Sequence, residues 1–121
     1  MAHRDNAKPV EKHEKYAWCG RIIGDVAEYV RRHEQIWPEM KEALAAAGIT
    51  NYSIWNVGDR LFGYYECRYG ADFAARVQGE SPVVARWNAY MSDVLELETD
   101  PETGAQRKLA QVFSFDSVPK S

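Results

Sequence analysis

The chain holds only two cysteines in 121 residues, Cys19 and Cys67. They lie far apart and in no CxxC or Cys/His pattern, so neither a disulfide framework nor a zinc site is expected, and reduced core thiols are. Long apolar runs are also missing. The uncharged stretch over residues 43–55 is broken by Gly48 and Asn51 and falls short of the roughly 20 apolar residues a bilayer requires. Basic residues cluster no further than Arg31-Arg32, and the net charge is -3. A phosphate-tracking surface, and with it nucleic acid as a partner, is therefore not expected. The opening MAHRDNAKPVEKHEK has neither the apolar core of about 7 to 15 residues nor the cleavage site of a secretory signal, so a cytoplasmic protein is expected. GxGxxG, GxxxxGK[ST], GxSxG and HExxH are absent, which removes support for nucleotide, serine-hydrolase and zincin chemistry.

What is present suits one soluble domain. Hydrophobic residues make up 45% of the chain and charged residues 27%, a balance that supports one packed core and leaves no room for a second domain. Residues 1–14 mix charges with Pro9 and read as a flexible arm, residues 15–117 as the single domain, and 118–121 as a tail. No internal repeat appears.

Residues 16–23 are aromatic and β-branched and predict a first strand, with Asp25 as N-cap of the helix that follows. Val26, Tyr29, Val30, His33 and Trp37 recur at spacings of three and four, building one stripe toward a sheet. Pro38 breaks this helix and starts another, PEMKEALAAAG, that ends at Gly48. NYSIWN and RLFGYYECRY flank a turn at Gly58 and read as a β-hairpin. ADFAARVQ predicts a short helix; Ser81-Pro82 caps and opens another, VVARWNAYMSDVLEL; and LAQVFSF predicts the last strand. The order is an α+β, ferredoxin-like βαββαβ arrangement with both helical connections on one sheet face. The uncovered face, rich in aromatics, implies a second copy or a ligand upon it, and a homodimer is expected.

His33 is the one histidine inside the expected fold, since His3 and His13 fall in the arm. Two readings stand at this point: a satisfied core or interface histidine, or a proton-moving imidazole to which Tyr29 and Trp37, one turn away on either side, offer a hydroxyl and an apolar ring face. An unperturbed imidazole titrates near pKa ~6.5, so both its forms are present at neutral pH. RWNAYM places Trp87 and Asn88 side by side, and Trp87 with Met91 equally fits a core-facing stripe. Tyr52 on the hairpin is equally at home as a plain sheet aromatic.

Taken together, EYVRRHEQIWPEM, GITNYSIW, RWNAYM and the closing QVFSF, in this order and spacing, closely resemble the L-rhamnose mutarotase family over residues 16–115. The segment Tyr-x-x-x-His-x-x-x-Trp-Pro is the most specific part. The resemblance implies a dimeric α+β barrel subunit that interconverts the α and β anomers of a 6-deoxy-hexose without cofactor or metal. It implies His33 as the proton donor, Tyr29 and Tyr52 as sugar contacts, and Trp87 as the first of a tryptophan pair. Here the pair is broken by Asn88, an amide that both donates and accepts hydrogen bonds. L-Rhamnose is the leading substrate and L-fucose, differing in hydroxyl orientation, the alternative. Two other classes remain: a cofactor-free or haem-degrading monooxygenase of the dimeric barrel type, and a non-catalytic sugar-binding or dimerisation module.

Overall fold

A computed structural model describes residues 9–102, 104 and 106–115. His3 and the expected tail lie outside the described residues. Strand β1 covers Glu14–Ile22, and β2 (Ile49–Val57) and β3 (Arg60–Cys67) form the hairpin. The Gly58 that joins them has φ +58°, in the left-handed region where a Cβ would be strained. Between β1 and β2 run α1 (Val26–Glu34) and α2 (Pro38–Ala46); after β3 come α3 (Ala71–Glu80), α4 (Pro82–Met91) and the short β4 (Leu95–Leu97). The sheet order is β2-β3-β1-β4 with every neighbouring pair antiparallel. This is the ferredoxin-like α+β arrangement.

Helix boundaries follow local chemistry. Asp25 Oδ1 accepts from Ala27 N–H at 3.1 Å and starts α1, and Ser81 Oγ accepts from Val84 N–H at 3.2 Å and starts α4. Each occupies a backbone donor that the helix itself leaves unpaired. Trp37 is extended, at φ -63° and ψ 139°, with Pro38 at the head of α2, as the steric demand of a following proline requires.

The core lies between the helices and one sheet face. Trp18 and Ile22 from β1 and Leu61 and Tyr65 from β3 meet Tyr29, Met40, Val84, Trp87 and Met91 from the helices. Not all of the α1 stripe is buried: Tyr29 is, whereas Val26 and Val30 are exposed. Val30 lines an open cavity instead.

The expected last strand needs correction. β4 is Leu95–Leu97, taken from what the sequence pattern assigned to the end of the helix, and it pairs with Gly20, Arg21 and Ile22. A short apolar run fits both periods, and here the free edge of β1 decides in favour of the strand. LAQVFSF forms no strand. Glu98 N–H still donates to Cys19 O, after which an excursion turns back so that Arg107 N–H reaches Glu98 O and Leu109 N–H reaches Ala17 O. Beyond Leu109 the segment runs beside β1 without a ladder, touching it through Lys15 Nζ and Ser114 Oγ at 3.3 Å. Val112, Phe113 and Phe115 are 93%, 78% and 76% exposed.

Candidate active site

All four helices and the inner sheet face line an open cavity of about 800 Å³, inside the roughly 300–1,000 Å³ range of small-molecule sites. Four of the five residues singled out from the sequence are Tyr29 and His33 on α1 and Trp87 and Asn88 on α4; with Tyr52 on β2, all five line it.

His33 is half-buried. Its ring stands 4.5 Å from that of Tyr29, one helical turn earlier, and meets the Trp87 indole edge-on at 5.5 Å and 90°. Nδ1 lies 3.2 Å from the Tyr29 carbonyl oxygen. A carbonyl only accepts, so Nδ1 carries the proton and Nε2 is the nitrogen left for exchange. Burial lowers the His33 pKa from its usual value, and the hydrogen bond to the carbonyl offsets part of that shift. The resting ring is neutral, and its cation is a stronger acid than free imidazole.

Tyr29 is buried, and its hydroxyl has no hydrogen-bond partner among the described residues. Burial pushes its phenol pKa up to about 12. An unpaired buried hydroxyl is costly in a folded protein and marks a position suited to a ligand atom. Trp37, set free from α1 by the Pro38 break, packs edge-on against Trp87 at 5.1 Å and 88° and so braces it. Asn88, one residue on, is exposed at the cavity margin.

Tyr52 is 38% exposed, yet its phenol is desolvated enough for burial to raise its pKa well above the ordinary tyrosine value. Its hydroxyl accepts from Trp18 Nε1 at 3.2 Å, and its ring leans on Tyr65 at 4.9 Å. Trp18, Tyr16, Tyr65, Gln78 and Gln106 also line the cavity and were not singled out from the sequence. Alternation along β1 puts Tyr16 and Trp18 on one face and is the signal that points to them. Nothing local marks Gln106, which arrives from the excursion after β4 and accepts from the Tyr16 hydroxyl at 3.0 Å.

Glu34 is the one charged side chain in the lining among the described residues. With no lysine or arginine there, the cavity is not built to hold a phosphorylated or carboxylate ligand. Aromatic faces beside hydroxyl, amide and imidazole groups suit a neutral polyol. Among the described residues, no three or more His, Cys, Asp or Glu side chains come together as a metal site.

A family model described as L-rhamnose mutarotase matches residues 15–115. The chain belongs to the L-rhamnose mutarotase family. Among its relatives, the L-rhamnose mutarotase of Rhizobium johnstonii is 38% identical over 103 residues, which is 83% of this chain and 94% of that protein. That of Jannaschia sp. is 36% identical over 93 residues, covering 76% and 89%. The crystal structure of an L-rhamnose mutarotase from Formosa agariphila superposes with a TM-score of 0.65 at 25% identity, covering 85% of this chain and 99% of that one. Membership thus extends over both sides of the cavity, from Tyr29 and His33 on α1 to Trp87 and Asn88 on α4.

Proposed function

We propose that this chain is an L-rhamnose mutarotase, an isomerase that interconverts the α and β anomers by opening and reclosing the pyranose ring. Mutarotation needs a proton delivered to the ring oxygen and one withdrawn from the anomeric hydroxyl, followed by rotation about one bond and closure on the other face. One observation carries the reading: His33, its tautomer set by the Tyr29 carbonyl, is wedged between Tyr29 and Trp87 in a cavity without cationic lining. In this mechanism the imidazolium form of His33 gives its Nε2 proton to the ring oxygen and recovers it on closure. Tyr29 and Tyr52 hydrogen-bond sugar hydroxyls, and a tyrosine or water relays the anomeric proton. Trp87 lies against the apolar C–H face of the sugar.

General acid-base assistance contributes about 10²- to 10⁴-fold in rate, so His33→Ala removes most of the catalysed anomer exchange measured by saturation-transfer NMR. Circular dichroism of that variant remains native. Undiminished exchange would discard the role of His33. The pH profile follows from the lowered pKa: the acid form is needed, so kcat/KM, corrected for spontaneous mutarotation, falls with rising pH through an inflection below about 6.5. A rise over that interval would instead make Nε2 the base for the anomeric hydroxyl.

Asn88 at the cavity margin keeps L-fucose as the second reading, because an amide suits a sugar hydroxyl better than a ring wall does. A homodimer is part of the proposal, supported by the exposed apolar side chains Trp55, Val57 and Phe62 on the outer sheet face. Among the described residues no helix is long and apolar enough to cross a membrane. A cytoplasmic location accords with two free, buried thiols.

A further inference from the structure

Trp18 and Gly63 are direct cross-strand partners on β1 and β3. A Cβ built on Gly63 would stand 2.1 Å from Trp18 Cε2, 2.3 Å from Nε1 and 2.4 Å from Cζ2. The indole therefore lies flat in the space that any other residue at 63 would fill with its own side chain. With only 5% of Trp18 exposed, its surroundings hold the ring in that orientation. In this position Nε1 is 3.2 Å from the Tyr52 hydroxyl.

An indole nitrogen can only donate. The Tyr52 oxygen is thus the acceptor of this bond, and its own proton must be given elsewhere. Among the described residues it has no other hydrogen-bond partner, and Tyr52 lines the cavity together with His33 and Tyr29. Without Trp18 the hydroxyl would be free to rotate and to offer either its proton or its lone pairs to a sugar.

We propose that Trp18 is a positioning residue of the sugar site: its indole N–H, seated on Gly63, commits the Tyr52 hydroxyl to act as a hydrogen-bond donor toward a sugar oxygen. This rests on the mutarotase reading above. Trp18 acts through Tyr52, and the two residues work as one unit. Burial, which raises the Tyr52 pKa, keeps the phenol protonated and accords with a donor role.

A double-mutant cycle on L-rhamnose anomer exchange tests it. Trp18→Phe keeps a large ring but deletes the N–H, and lowers kcat/KM about three- to tenfold, the worth of one hydrogen bond. In a Tyr52→Phe background the same change alters the rate by no more than about twofold, because the group it acts through is gone. Equal losses in the two backgrounds, with wild-type exchange intact, overturn the proposal and reduce Trp18 to core packing. Absence of accelerated exchange in the wild-type chain overturns the mutarotase reading itself, and this proposal with it.

A second measurement does not depend on Trp18→Phe folding. In Tyr52→Phe, the Trp18 indole N–H proton resonance moves upfield and exchanges faster with solvent than in the wild type. An unmoved Trp18 resonance overturns the proposal.

Discussion

Neighbouring residues on a helix point about 100° apart, which is why Trp87 is buried among His33 and Trp37 while Asn88, next in sequence, is exposed at the cavity margin. An amide there offers a donor and an acceptor to one sugar hydroxyl, whereas a second indole would offer a wall. Asn88→Trp is accordingly expected to raise the ratio of L-rhamnose to L-fucose exchange about three- to tenfold, one hydrogen bond's worth. Saturation-transfer NMR on each sugar measures it, and an unmoved ratio removes residue 88 from substrate choice. At this scale the sequence was informative wherever partners share a helix. Tyr29 and His33, one turn apart, do touch. For Trp18, alternation along β1 marks the face but not the partners, because Gly63 and Tyr52 lie on other strands.

Among the elements, the signals that resolved well were those enforced by backbone chemistry. Pro38 heads α2, Asp25 caps α1 and Ser81 caps α4. Ser81 both ends α3 and caps α4. Ser81→Ala leaves the Val84 N–H without its partner and costs about 0.5–2 kcal/mol of stability, typically near 1. Urea unfolding followed by circular dichroism measures this, and an unchanged midpoint would mean that the cap contributes nothing. The failure at this scale is just as physical. The pattern of MSDVLEL predicts helix, yet Leu95–Leu97 leave it to pair with β1, and LAQVFSF has the composition of a strand although β1 offers it only one backbone bond, at Ala17. Strand pairing is a property of two segments, and one segment's composition does not specify it.

Across the whole molecule, one sheet face is covered by helices and the other carries Trp55 opposite Phe62 in the β2–β3 register. Trp55 is 68% and Val57 66% exposed, so the apolar surface on this face is large for a lone small domain. A homodimer across this face is the proposed assembly. Light scattering is expected to give twice the chain mass, and Trp55→Glu to shift the population toward the monomer, since an isologous contact places each substitution in the interface twice. A wild-type monomer at micromolar concentration would end that reading.

By itself the sequence determined the helix starts, the hairpin with its turn at Gly58 and the pairing of Tyr29 with His33, because these depend on spacing, caps and backbone sterics within a few residues. The tertiary structure alone decided which segment closes the sheet, that Trp18 rests on Gly63 and reaches Tyr52, and that Gln106 arrives at the cavity. Those facts depend on contacts between segments distant in the chain, whose register is set by the packing of the whole fold.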